Sequence, residues 1–286
     1  MEGKAKGVSG AVLIALGCVA WSFSGVLSKW TPWGALSIIG LRGLLAALAL
    51  GALRGGYRVK PSKGTWLGAL GVALTSLAFI SANKLTTAAN AIVLQYAMPA
   101  VVILGSWLFF KQRASKLDLA AAAITMLGVA LCFVSGLTVG NPLGDLLALV
   151  SAVTFAMVFF AARMPGTDPM DYAYLGNALS CLCLAAIPFD KQFVVTGKTV
   201  LAILLLGLCL TLGYFLFSRG MRAGVSPITA AIVANIEPVL NPVWVFLALG
   251  ETPGLYTFVG AALVLCSVTA YSVINARKTE RLTRTP

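Results

Sequence analysis

Ten apolar runs bounded by glycine, proline and charge divide the chain, at 8–29, 32–53, 64–83, 87–110, 116–135, 143–163, 170–188, 199–219, 226–249 and 255–275. Each is close to the roughly 20 residues that a helix needs to cross the hydrocarbon of a bilayer. Inside the runs the few polar and aromatic positions fall at helical spacing, as where Gly17, Trp21, Ser24 and Ser28 share one face of the first. The pattern predicts an all-α integral membrane protein with ten transmembrane helices. Lys4 and Lys6 before the first run imitate a signal peptide. That run is too long for a signal-peptide core and no A-x-A site closes it, so it is expected to stay as helix one.

Prolines mark which helices depart from regularity. Of twelve, only Pro99 in the fourth run and Pro238 and Pro242 in the ninth lie deep in apolar sequence, so those two helices are expected to be broken or kinked. The two runs hold matching places in two groups of five. Aligning Pro99 with Pro238 sets Ala91, Ile92 and Val93 against Ala230, Ala231 and Ile232; aligning Gly10 with Gly144 sets Trp21 on Phe155 and Lys29 on Arg163. Two five-helix repeats are therefore expected, at 1–138 and 139–286. Five is odd, so the second must enter the membrane from the opposite side, and inverted repeats with broken helices in matching positions point to a transporter's midplane site.

Composition removes the soluble alternatives: of 286 residues, 59% are hydrophobic and 10% charged, far from globular usage. The net charge of +12 would suggest nucleic acid in a soluble protein, but here it follows topology. With the N-terminus inside, sixteen of the 21 Lys and Arg residues fall on the cytoplasmic side, four (Lys29, Lys84, Lys191 and Lys198) fall outside, and Arg42 lies within the second run. The asymmetry predicts both termini in the cytoplasm. The six cysteines lie inside apolar runs and suit small buried side chains. No metal, cofactor or nucleic-acid partner is implied. The expected partners are a small-molecule substrate and membrane lipid, and a monomer would suffice.

Candidate chemistry is sparse. Trp21 is about two turns from the nearest charge, deep enough for either helix packing or an aromatic wall of a site. Ser76, Phe79 and Asn83 line up on the third run, and Thr211, Tyr214, Ser218 and Arg222 on the eighth. Serine and threonine often only hold membrane helices together. Tyr214 and Asn83 are expected to face a cavity, because a phenol or amide facing lipid would lack a partner. Asn90, Gln95 and Tyr96 gather polarity before Pro99, either to repair the hydrogen bonds a proline frees or to touch substrate. Glu237 is the one acid near a helix centre, sharing a face with Asn241 and Trp244. An ionisable group at that depth is a functional hypothesis by default. It can carry a proton, meet a substrate ammonium or pair with Arg42, which keeps its charge and needs an acceptor.

Gly10 through Trp21, Leu41, Arg42 and Gly43, the run from Ala88 to Pro99, Glu237 and Pro238, and then Leu249, Gly250 and Glu251 together give the chain a family likeness. It resembles the EamA family of the drug/metabolite transporter superfamily over nearly its whole length, and within it looks most like bacterial exporters of aromatic amino acids. That resemblance implies export across a bacterial inner membrane by alternating access. Met98 stands where many members carry an acid before the first-half proline. The residues chosen for a substrate site are Trp21, Phe79, Asn83, Asn90, Tyr96, Phe155, Tyr214 and Ser218, with Glu237 and Arg42 for coupling or charge pairing and Pro99 and Pro238 as helix breaks. Carriers of other metabolites or organic cations, or a channel, are the alternatives. An enzyme is disfavoured: there is no histidine for a metal or base, and one deep acid cannot make an aspartyl pair.

Overall fold

The computed structural model describes residues 9–59, 62–134, 137, 139, 141–249 and 254–284. Lys4, Lys6, Lys60, Gly250 and Glu251 lie outside the described residues, as do the side chains of Asn241 and of residues 278–284. The described chain is helical, with no strand. Its helices are α1 (Gly10–Ser22), α2 (Ser24–Lys29), α3 (Ala35–Leu53), α4 (Lys63–Leu85), α5 (Ala88–Gln95), α6 (Met98–Phe110), α7 (Lys116–Phe133), α8 (Pro142–Ala161), α9 (Pro169–Ser180), α10 (Gly197–Arg222), α11 (Pro227–Ala234), α12 (Ile236–Leu249) and α13 (Leu255–Arg284). Nine stretches among the described residues are long and apolar enough to span a membrane, and Pro227–Leu240 is a shorter apolar helix.

Outward faces are greasy. Leu146, Leu149, Val150 and Val153 of α8 and Leu201, Leu204, Leu208 and Leu212 of α10 are exposed. In water such contiguous patches would be a liability; in hydrocarbon they are solvated. The opposite face of α8 carries the buried Ser151, Thr154, Phe155 and Val158.

Four helices are irregular, and local chemistry accounts for each. Pro99 and Pro238 have no N–H, so the carbonyls four residues earlier lose their donors. The helix accordingly stops at Gln95 and resumes at Met98, and stops at Ala234 and resumes at Ile236. The Asn235 amide donates to the carbonyl of Ala231 at 3.1 Å, about one turn before the carbonyl that Pro238 frees. The third irregularity, at Phe23 between α1 and α2, was not expected, because no proline or glycine occupies it. There the Ser22 hydroxyl donates to the Val19 carbonyl and receives the Trp244 indole N–H at 2.7 Å, while Phe23 stacks on the Trp244 ring. A serine that bonds back to its own ladder bends a helix. The fourth follows α9, where Cys181–Phe189 tightens to a 310 helix around Pro188.

Small residues bring the helices together. α4 packs on α8 and α9, α10 on α1 and α3, and α7 on α13; α3 meets α9, α5 rests on α8, α1 on α11 and α12, and α6 on α11. Gly10 meets Gly220 and Gly17 meets Gly213, so α1 and α10 run antiparallel at backbone distance. Between lipid-solvated helices this close van der Waals approach is a main source of association. Gly64 and Gly68 serve α4 in the same way, against Thr167 and Tyr172.

Both ends are latched. Arg54 donates to Asp171, and Arg222 grips both oxygens of Asp168, the N-cap of α9. At the far end Asp190 accepts from the Ser37 hydroxyl at 2.6 Å and the Gly34 N–H at 2.7 Å, and Asp145 accepts from Thr86. The Ser37 donation holds the Asp190 carboxyl below its ordinary range. Trp33 is turned inward at this end, its indole N–H on the Val194 carbonyl.

A Cβ on Gly176 would sit 2.6 Å from the Ala69 carbonyl oxygen, which cannot yield. Gly176→Val is expected to lower stability by about 1–3 kcal/mol, an overpacking cost, seen as a lower melting temperature in detergent. Gly197→Ala, with nothing within 4 Å, is expected to cause no loss. Equal melting of the two variants would contradict close packing of α4 on α9.

Candidate functional site

The two broken helices meet in the interior, since α6 packs on α11 and Glu237 in the first turn of α12 is in electrostatic reach of Tyr96, the residue that follows α5. Here lies a cavity of about 90 Å³ lined by Trp21, Ser24, Arg42, Thr75, Ser76, Phe79, Gln95, Tyr96, Phe155, Leu210, Tyr214 and Glu237. Seven of the apolar runs contribute. Arg42 brings in α3.

One wall is aromatic. The Trp21 ring is edge-on to Tyr214 with centroids 4.9 Å apart and to Phe155 at 6.3 Å, and Phe217 lies behind it at 5.7 Å. Phe155 continues to Phe159 at 5.2 Å. Such edge-to-face pairs contribute about 0.5–1.5 kcal/mol beyond buried area. Trp21 can sit there because Gly213 has no side chain: a Cβ at that position would fall within the indole. The Trp21 Nε1 has no hydrogen-bond partner among the described residues.

The other wall is polar and charged. Arg42 donates through Nη2 to the Ser76 hydroxyl at 3.1 Å, tying α3 to α4. Thr75, one residue earlier, donates to Thr154 of α8 at 2.9 Å. The electrostatic partners of Glu237 are Tyr96 and Arg42. The geometry is not a closed ion pair, because the described salt bridges are Arg54 with Asp171 and Arg222 with Asp168. Arg42 and Glu237 therefore face one small space together with the aromatic wall.

Of the residues chosen from sequence, Trp21, Phe79, Tyr96, Phe155, Tyr214, Arg42 and Glu237 line the cavity. Pro99 and Pro238 are buried beside the breaks. Three are elsewhere. Asn83 donates to the Phe79 carbonyl of its own helix at 3.0 Å; a mid-helix amide can satisfy itself this way and needs no cavity. Asn90 sits in the first turn of α5 and donates to Thr86 and Asp145, binding α5 to α8. Ser218 is fully buried one turn beyond Tyr214 and is not in the lining. Gln95, Ser24 and Ser76 were visible as polar positions near the site but not chosen. Thr75 was missed, because a lone threonine in an apolar helix reads as helix–helix glue. Trp244, on the Glu237 face in sequence, is engaged by Ser22 and Phe23.

A polytopic helical membrane protein with a polar pocket between two interrupted helices is the architecture of a small-molecule carrier. The sequence profile of the EamA-like transporter family matches residues 8–134 and 142–273. The chain belongs to that family, and it is a membrane transporter. Among its relatives is the "uncharacterized inner membrane transporter YicL" of Salmonella typhimurium, 29% identical over 228 residues, 74% of this chain and 72% of the relative. An "uncharacterized transporter" of Archaeoglobus fulgidus is 28% identical over 197 residues, 68% and 71% of the two chains. A solved protein crystal structure superposes with a TM-score of 0.78 at 21% identity, covering 94% of this chain and 98% of the other, which establishes a shared fold.

If Arg42 and Glu237 compensate each other, removing either alone leaves a costly charge at depth. Arg42→Gln and Glu237→Gln are each expected to lower stability in detergent, and the double variant by at least about 0.5 kcal/mol less than their sum. Additive losses would show that the two charges do not sense each other.

Proposed function

We propose that the protein is a bacterial inner-membrane exporter that moves aromatic amino acids and related flat compounds by alternating access, through ten helices arranged as two inverted five-helix repeats, 1–138 and 139–286. The observation that carries the cargo assignment is the pairing, in one cavity, of an aromatic wall with one cation and one anion. A zwitterionic amino acid fits that arrangement. Its carboxylate meets the planar fork of Arg42, its ammonium meets Glu237, and its ring lies against Trp21, Phe155 and Tyr214. Arg42 disfavours a simple organic cation, because like charges would meet in a poorly solvated space.

Packing supports the repeat. Exchanging the first five spans with the second five turns the α4–α8 contact into α10–α1, the α4–α9 contact into α10–α3, and the α5–α8 contact into that of α11 with α1, while α7–α13 and α3–α9 map onto themselves. The half-helices α5 and α11 are both eight residues long, and hydroxyl caps at Thr87 and Ser226 accept from the third residue on. The family profile also matches twice, once in each half. Both ends of the chain lie on the basic side, read as cytoplasm from the sixteen-to-four asymmetry of Lys and Arg.

The cavity is well below the about 300–1,000 Å³ of typical ligand pockets, so this conformation is contracted and a cargo must enter by parting the halves. Cyclic opening to each side, with the site fixed at the junction of the breaks, is the behaviour of inverted-repeat carriers. The two breaks are chemically unequal, with Glu237 at one and Met98 in the corresponding place at the other, so charge coupling is assigned to the second half alone.

In liposomes containing the purified protein, Trp and Phe are expected to compete for transport at least about tenfold better than Gly or Glu, the equivalent of about 1.4 kcal/mol. Trp21→Ala and Tyr214→Ala should weaken aromatic transport more than they reduce protein yield. Equal inhibition by all four amino acids, or full activity in both variants, would remove the aromatic site.

A further inference from the structure

A second opening, unconnected with the cavity, lies on the outer surface between α6 and α7. It is a groove of about 700 Å³ lined by Ala100, Ile103, Leu104, Trp107, Ala114, Leu119, Ala122, Ala123 and Met126, with Arg113 as its one charged residue. The two helices are consecutive, joined by the turn at 111–115, yet they meet sparsely, since α7 spends its inner face on α13. Leu104, Trp107 and Leu119 are about half exposed, as no neighbouring helix covers them.

We propose that this groove holds one acyl chain of an anionic glycerophospholipid, with the lipid phosphate seated on Arg113. Length and charge both favour that occupant. From Ala100, beside the break, to the end of α6 at Phe110 the helix rises about 15 Å, half the roughly 30 Å of a hydrocarbon core, so the groove runs the depth of one leaflet. It ends among Lys111, Arg113 and Lys116, all exposed. Arg113 makes no hydrogen bond or ion pair with another described side chain. The acid nearest to it in the chain, Asp118, is engaged elsewhere, accepting from the Ser115 N–H at 2.7 Å and the Tyr271 hydroxyl at 2.6 Å. Trp107 stands on the groove wall less than two turns from that basic end, at the depth where indoles favour the membrane interface. A lipid in this place would brace α6, the second half of the broken span, against α7. The assignment does not depend on the cargo.

Native mass spectrometry of the full-length protein in detergent, with phosphatidylglycerol and phosphatidylcholine of identical acyl chains, tests it. The wild-type protein is expected to retain phosphatidylglycerol preferentially. Arg113→Gln should cut that retention about fivefold, the equivalent of about 1 kcal/mol per basic residue, and Arg113→Lys should preserve most of it. Ala123→Phe, which fills the groove from an exposed position, should reduce retention of both lipids. No headgroup preference in the wild type, unchanged retention in Arg113→Gln and Ala123→Phe, or a dimer whose interface excludes lipid would each overturn the proposal.

Discussion

Every backbone N–H and C=O within hydrocarbon must find a partner inside the protein, because no water is there to supply one. This constraint explains where the helices of this transporter can be irregular. Pro99 and Pro238 each free a carbonyl, and such a defect facing lipid would cost several kcal/mol. Both breaks are instead turned toward each other at the centre, where Tyr96, Gln95, Asn235 and Glu237 crowd around them. Polar side chains that a lipid-facing helix could not tolerate become affordable there, and the same crowding makes the cavity. Site and defect have one cause.

The rest of the bundle can be understood as what holds the two breaks in register. Glycines at 10, 17, 213 and 220 bring α1 and α10 to backbone contact and place Trp21 over Gly213. Arg42 crosses from α3 to Ser76 and fixes the cation opposite Glu237. Carboxylate latches at Asp168, Asp171, Asp145 and Asp190 close the two ends with groups from other helices. These end contacts lie near water and are individually weak.

Most of this fold was legible in the sequence because hydropathy alone sets span length, and deep prolines reveal where the helix ladder loses a donor. The boundaries expected at 32–53, 64–83 and 116–135 fall within three residues of the observed 35–53, 63–85 and 116–133. The interruption at Phe23 was not legible, since it arises from Ser22 and from Trp244, which are distant in the chain but 2.7 Å apart in space. Large rings far from charge have few other places to go, and Trp21, Phe79, Phe155 and Tyr214 all line the cavity. Amides are harder to place: Asn83 and Asn90 satisfy themselves locally or at a neighbouring helix. Helical spacing shows which face such a group is on but not which carbonyl it reaches.

The central claim, that cargo occupies the junction of the two broken helices, is tested most directly by protection of a thiol placed there. In a cysteine-free background, the side chain introduced by Ser76→Cys should react with a small water-soluble maleimide more slowly in the presence of saturating tryptophan, while Gln192→Cys in an end connection should react at the same rate with and without it. Identical labelling of the Ser76→Cys variant with and without tryptophan, under conditions where tryptophan is transported, would place the cargo elsewhere.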